Sequence, residues 1–292
     1  MGTVDLRDTL GAAPVQRDVV RVHGPDAVEF LQGQLSQDVT ALQVGDSAPA
    51  LLLQPTGKVD AWLRATRTGD DEILLDVDAG FGEAVAARLR RFRLRTKVEL
   101  DGERWSGLAL RGPGAHDVPT PSGAVAVPAR WPGVAGVDLL SGGELAMAGV
   151  PLVDAEALEA LRVECGVPAM GAELTEGTIP AEAGQWLIDA SVSFTKGCYT
   201  GQELVARIDS RGGNVPRPLR GLLVQGGEPG RGADVEVDGA VVGQVTSAAT
   251  SPVLGAIALA PLARSVAVGA EVTVTGLGGD RLVAVVADLP LR

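Results

Sequence analysis

Between Arg17 and Leu100 the spacing of apolar residues switches from two to three-and-four and back, twice. That alternation confines the segment to helices laid on one face of an antiparallel sheet. Residues 17–22 (RDVVRV) read as a strand, and His23-Gly24-Pro25-Asp26 turns it into a helix with Pro at an early position. Val28, Leu31, Leu35, Val39 and Leu42 recur at helical steps and predict a helix of about four turns, ended before Gly45. Ala50 to Leu53 and Val59 to Ala65 flank Gln54-Pro55-Thr56-Gly57, the pattern of a hairpin. A strand over Glu72 to Val77 leads into a helix capped by Asp78 and striped by Phe81, Val85, Leu89 and Phe92. Lys97 to Leu100 closes the unit.

The next stretch reads as a looser second copy. Trp105 to Leu110, Ala124 to Ala129 and Gly136 to Leu140 are strands, and Gly112-Pro113-Gly114 stands where the first unit starts its helix. Asp154 then caps a helix on which Leu158, Leu161 and Cys165 share a face, and Gly166 ends it. From Arg217 the character changes to short strands with glycine turns, among them the Asp238-Gly239 hairpin, and five or six strands predict a small barrel. Asn214 to Pro218 is the expected linker. The reading is an α+β chain in three parts: residues 1–101, residues 102–215 and a barrel over residues 216–292.

Composition narrows the function. A chain of 292 residues that is 46% apolar holds two or three ordinary cores. No apolar run reaches the roughly 18 residues of a membrane span, and MGTVDLRDTL lacks the layout of a signal peptide, so the expected place is the cytoplasm. A net charge of −12 opposes general nucleic-acid binding, and aromatic residues, at 3%, are too few for a base-stacking platform. Arg88, Arg90, Arg91, Arg93, Arg95 and Lys97 form a basic run that suits either an anionic ligand or a solvated helix face. Two cysteines, Cys165 and Cys198, are too few for a zinc or iron–sulfur site built by one chain. His23 and His116 have no metal-like spacing. Cys165 reads as a core residue.

Chemistry concentrates in Lys196 to Arg207, KGCYTGQELVAR. Thr200 and Glu203 have the spacing of a capping box, which predicts a helix start. Cys198 then lies just outside the helix N-terminus with Lys196 two residues away, and both would raise its thiolate fraction. The plainer alternative is a small buried hydrophobe. Tyr199, Gln202 and Glu203 are placed to position Cys198 or a ligand, although Tyr199 equally suits a hydrophobic staple and Glu203 the cap.

The run K-G-C-Y-T-G-Q-E, preceded by RVECGVPAMG (Arg162 to Gly171), by Ile179-Pro180 with Glu182, and by DAVEFLQGQLSQDV, resembles the YgfZ family. These are folate-binding proteins related to the T protein of the glycine cleavage system, an aminomethyltransferase. The resemblance runs from about Val20 to the C-terminus. It implies the glycine-cleavage-T-protein-like fold and non-covalent tetrahydrofolate or a one-carbon derivative. It places Glu164 of the R-x-E-x-G helix end on the pterin, Arg162, Tyr199 and Gln202 beside the ligand, and Cys198 as the functional thiol. A pterin presents ring N–H and amine donors that one carboxylate can accept.

One departure matters. The aminomethyltransferases carry an acidic pair after a glycine turn, one member of which serves the transfer, and the matching positions here are Ala61 and Trp62. Asp60 stands one place early, where strand alternation would send it to the other face. The resemblance therefore implies support of iron–sulfur cluster assembly or repair in other proteins, with indirect effects on tRNA modification. Its implied partners are folate and iron–sulfur proteins or assembly factors, without a membrane or direct nucleic acid, and with no metal bound by this chain alone. A folate-dependent one-carbon transferase and a non-catalytic scaffold are the alternatives, so whether the chain is an enzyme stays open.

Overall fold

The computed structural model describes residues 4–145 and 149–292, so the first three residues of MGTVDLRDTL lie outside it. Two seven-stranded antiparallel sheets carry the chain. The first is built on β1 (Gly11–His23), which pairs along its whole length with β5 (Glu99–Arg111) and, from Arg17 to His23, with β4 (Glu72–Asp78). β3 (Val59–Gly69) and β2 (Ser47–Leu53) extend one side, and β7 (Gly136–Ser141) and β6 (Val125–Pro128) the other. The strands expected as a second copy therefore continue the first sheet, and the division at 101/102 falls inside β5.

Alternation along these strands separates two faces. Val20, Val22, Leu63, Ala65, Ile73, Leu75 and Val77 join the largest apolar core, with α1 (Ala27–Gln34), α2 (Gly82–Phe92) and α4 (Gln185–Ser191) packed on it. Their neighbours Arg17, Arg64, Asp76 and Asp138 turn to the other face. There Arg64 donates to Asp76 from Nε at 3.0 Å and to Asp138 from Nη1 at 2.5 Å. Arg111 donates to Asp138 at 2.7 Å, and Arg17 to Asp76 at 2.9 Å and to Asp78. One ladder of ion pairs thus crosses β3, β4, β1, β5 and β7, with Arg64, Asp76, Arg111 and Asp138 all buried.

Three expectations about helices are corrected. α1 ends after Gln34, because Leu35 is extended and bridges Leu52. Ser36 donates its N–H to the Leu51 carbonyl at 3.0 Å and accepts the Leu51 N–H on its hydroxyl at 2.8 Å. Leu35, Val39 and Leu42 are buried as expected, but from chain that has left the helix for the sheet edge. Asp78 does not cap α2. That service comes from Asp18 on β1, whose Oδ2 accepts from Gly80 and Gly82 at 2.8 and 3.0 Å. Phe92, expected in the buried stripe, is 38% exposed under the guanidinium of Arg88.

α3 (Ala155–Cys165) forms as its sequence predicts: Asp154 accepts from the Ala157 N–H, and Gly166 ends the helix in the left-handed conformation. It docks the second sheet, whose strands are β8 (Leu219–Gln225), β9 (Asp234–Val237), β10 (Ala240–Gln244), β11 (Ser247–Ser251), β12 (Gly255–Pro261), β13 (Glu271–Thr275) and β14 (Arg281–Ala287). Sequence reasoning missed β11, which is short and carries Ser and Thr at three of its five positions. The sheet curls until the Ala263 N–H reaches the Val242 carbonyl at 2.7 Å, so the expected barrel is half closed. No helix among the described residues is long and apolar enough to cross a membrane.

The ladder yields a pH prediction. Burial pushes the Asp138 carboxyl up, but Arg111 and Arg64 outweigh it and hold it well below the usual carboxylate range. A carboxyl whose folded pKa is depressed contributes stability above its unfolded pKa of about 3.9, and that contribution is lost as pH falls through this value toward the folded one. Asp138→Asn is expected to cost about 3–5 kcal/mol at pH 7 by leaving two buried guanidinium groups short of a partner. Urea unfolding from pH 7 to pH 3 should show a flatter acid limb for the variant; an unchanged limb would locate acid sensitivity elsewhere.

Candidate functional site

Against the charged face of the first sheet lies a cavity of about 270 Å³. Its floor is the ion-pair ladder, with Arg17, Arg64, Arg111, Asp78 and Asp138 in the lining. Its apolar walls are Trp62 and Leu63 of β3, Trp131, Leu158 of α3 and Val167. Trp131 is held flat by Arg111, whose guanidinium carbon stands 4.2 Å from the ring centroid. Trp62 donates its ring N–H to Ser191 at 3.0 Å and meets Trp186 edge to face at 6.0 Å. The Arg111 Nε–H is buried without a partner. A second groove of about 640 Å³ shares Ala155 and Glu159 with this cavity and opens between α3 and the curled sheet.

The positions of the transferase acid are filled otherwise. Ala61 is fully buried in the core and Trp62 walls the cavity. Asp60 is displaced by a different route from the one strand alternation predicts. The pairing register slips between Leu52 and Leu53, so that Leu52 faces Ala61 and Leu53 faces Val59. At this bulge Asp60 turns onto α2, where it accepts from Arg88 Nε at 2.9 Å. Arg88 also reaches the Leu53 carbonyl, and Arg90 and Arg93 bond carbonyls and carboxylates nearby, so much of the basic run braces the fold.

α3 presents Arg162 and Glu164 to different surroundings. Arg162 lines the cavity, yet its guanidinium is fully engaged with Glu159, the Val167 carbonyl, Glu173 and Ser247 Oγ, the last at 2.6 Å. It ties the helix end to β11. Glu164 is 4% exposed and accepts from Arg7 Nε at 2.9 Å, while Arg7 Nη2 lies 3.6 Å from the Cys165 sulfur. Burial pushes the Cys165 thiol up to about 11, so it stays protonated and inert. The cavity lining includes Arg162 and neither Glu164 nor Cys198.

The motif that drew attention in the sequence is built differently from its prediction. α5 (Gln202–Asp209) starts two residues after Thr200, and its N-terminal flank is Gly201 at φ 82, so Thr200 is not the cap and the Thr200/Glu203 box does not form. A Cβ on Gly201 would lie 2.5 Å from the Gln54 carbonyl, which is how the loop seats on the β2–β3 hairpin. Gln202 instead accepts the Tyr199 N–H at 3.1 Å. Tyr199 packs on the main core, and burial pushes its phenol up to about 12. Lys196 places its ammonium on three carbonyls, Gln32, Leu35 and Gln37, at 2.7, 2.7 and 2.8 Å. The first two belong to the end of α1 and the third to the chain just past it, so the lysine is a helix C-terminal cap. Burial lowers its pKa to about 8, with Asp38 pulling the other way. Around these anchors Cys198 is left exposed.

Sequence reasoning missed Arg7, Arg64, Arg111, Asp138 and Trp131. The available signal was a single charge inside an apolar strand run, as in ILLDVD, where Asp76 interrupts buried positions. Glu182 of the Ile179-Pro180 segment is a local brace that accepts the Ile179 N–H at 3.0 Å. Among the described residues no cluster of three or more His, Cys, Asp or Glu could hold a metal ion.

Comparison with known proteins places this geometry. Residues 16–123 match the GCVT N-terminal domain, and residues 217–291 match the glycine cleavage T-protein C-terminal barrel domain. The aminomethyltransferase of Thermus thermophilus is 30% identical over 80% of this chain and 73% of its own, and that of Rubrobacter xylanophilus 33% over 82% and 72%. An iron–sulfur cluster assembly factor IBA57 homolog, mitochondrial, of Mycosarcoma maydis is 29% identical over 67% of this chain and 53% of its own. The fold is that of glycine cleavage system aminomethyltransferase T from Bartonella henselae, at a TM-score of 0.79 over 98% of this chain and 87% of that one, with 23% identity.

Two expectations follow for the thiols and the lysine. A thiol reagent should titrate one group in the native protein and two after unfolding, with Cys198→Ser abolishing the native reaction. Lys196→Met should lower stability by about 1–3 kcal/mol, since buried carbonyls lose their donor, and leave the Cys198 rate unchanged. A slowed thiol with unaltered stability would instead assign the lysine to the cysteine.

Proposed function

The chain belongs to the glycine cleavage T-protein family, and from that premise we propose that it is a folate-binding member of the YgfZ type. On this reading it supports the assembly or repair of iron–sulfur clusters in other proteins of the cytoplasm. Effects on tRNA modification follow only through enzymes that need those clusters. The observation that carries the reading is a substitution of chemistry: Trp62 walls the cavity where the transferases keep their acid, while Cys198 is held in solvent by a loop anchored on every side.

The cavity residues suit a reduced pterin. The floor sets Arg17, Arg64 and Arg111 against Asp76, Asp78 and Asp138, three charges of each sign, so it favours a neutral polar heterocycle over an anion. The unpartnered Arg111 Nε–H offers a donor to a ring nitrogen or oxygen. Trp62 and Trp131 supply flat apolar walls. Ligand pockets run to about 300–1,000 Å³, so the cavity takes the ring system and the adjoining groove the remainder. Glu164 stands outside this lining with Arg7 on its carboxylate, and would accept the pterin's paired donors once Arg7 gives way. Tetrahydrofolate or a one-carbon derivative, bound without a covalent bond, is the cofactor this set fits. Arg162 lines the cavity as a positioning residue, while Tyr199 and Gln202 act on the site only through the packing of their loop on the main core.

Cys198 would act outside the cavity, toward an iron–sulfur protein or assembly factor. The names of the IBA57 homologs fit that setting. A one-carbon transferase keeps some support from the relatives named aminomethyltransferase, but it would need a proton-handling group that Asp60, committed to Arg88, does not supply.

In cells lacking the protein, wild type should restore a cluster-dependent enzyme and Cys198→Ser, at matched levels, should not. Equal rescue by both would make Cys198 structural. In vitro, 5-formyltetrahydrofolate should quench tryptophan fluorescence saturably, and Trp131→Phe should remove part of that quench. Release of a labelled carbon from methylene-tetrahydrofolate to an acceptor would replace this reading with the transferase.

A further inference from the structure

The described chain begins by laying residues 4–10 over the end of α3. Leu6 is 2% exposed and packs on Ala157, Leu161, Cys165 and Val167, with Trp62, Trp131 and Trp186 around it. Trp62 and Trp131 are also walls of the cavity, so this strap lies directly behind them. Leu6 fixes the strap, and the next residue, Arg7, reaches Glu164. The contact is one-armed. Nε donates to Oε2, whereas Nη2 points to the Cys165 sulfur, a weak acceptor.

The two partners differ in how they can separate. The Glu164 side chain is 5% exposed, while that of Arg7 is 29% exposed. A buried carboxylate deserted by its cation is strongly unfavourable, so Arg7 can leave only when another donor takes its place. A guanidinium edge and a pterin edge offer a carboxylate the same thing, two N–H donors side by side in one plane.

We infer that Arg7 is an internal competitor for the ligand, occupying the Glu164 carboxylate as a stand-in for the pterin edge and swinging to solvent when a folate binds. The inference rests on the folate reading of Glu164. It makes Arg7 the residue that sets affinity: the site is closed by its own side chain, and ligand binding exchanges a single guanidinium donor on Glu164 for the pterin's pair. The strap itself stays in place, held by Leu6, while the Thr9 N–H on the Asp5 carbonyl at 3.0 Å keeps its turn.

The test measures 5-formyltetrahydrofolate binding by calorimetry to wild type, Arg7→Met and Glu164→Gln, each checked for a native circular dichroism spectrum. Arg7→Lys, which keeps the charge without the planar fork, stands in if Arg7→Met does not fold. The expected result is binding at least tenfold tighter in Arg7→Met, or severalfold tighter in Arg7→Lys, and at least tenfold weaker in Glu164→Gln. Equal or weaker binding in the Arg7 variant, with loss in Glu164→Gln, would overturn the inference and leave the folate reading intact, Arg7 then being a brace for Glu164. Equal binding in all three would remove Glu164 from the site and overturn the inference while folate binding stands. No binding in any of them would overturn both.

Discussion

The structure depends on keeping charge inside a sheet. Arg64 sits between Asp76 and Asp138, and with Arg111 and Arg17 it links five neighbouring strands on one face. Apolar side chains of the same volume would hold such a face at least as well, since buried ion pairs return little beyond their desolvation cost. A polar floor, however, cannot collapse onto α3 as an apolar one would, because its charges must stay mutually satisfied in fixed positions. The ladder thereby keeps the cavity open, and the cavity defines where everything else is placed.

The second constraint is the anchoring of the 196–207 loop. Each residue around Cys198 has a structural duty: Lys196 ends α1, Tyr199 fills the core, Gly201 seats on the hairpin, and Gln202 braces the Tyr199 backbone. These duties are mutually dependent. α1 stops at Gln34 because the chain turns to pair with β2, and the carbonyls freed by that turn are the ones Lys196 collects. A run that looks like a catalytic motif is thus largely a docking device for one exposed thiol.

The same residues explain what the sequence could reveal. The β2–β3 hairpin and α3 were legible because their signals are local: Pro55 and Gly57 in the turn, Asp154 and Gly166 at the two ends of the helix. The apolar period overstates α1 because Leu35 and Val39 keep the helical spacing by position while being buried through Ser36 and a sheet edge. The capping box failed because Gly201, between Thr200 and the helix, turns the chain through the left-handed region. The ladder was illegible for a different reason. A lone Arg64 or Asp138 in a strand looks like a residue on a wetted face, and its partners lie 12 and 74 positions away. Glu164 was found as a residue but not its partner, since nothing in VDLRDTL tells that Arg7 faces the end of α3.

The geometry also sets the cavity and the exposed thiol apart. The cavity has a charge-balanced floor and tryptophan walls, with no free carboxylate turned into it at the positions of the transferase acid. The thiol stands outside, on a loop that shares the main core with the cavity through Tyr199 and Trp62 but contributes nothing to its lining. A ligand in the cavity can therefore act on the thiol only through that shared packing, by stiffening the wall on which the loop is seated. On the proposed reading, folate is a structural cofactor of the loop, and the chemistry belongs to whatever protein presents itself to Cys198.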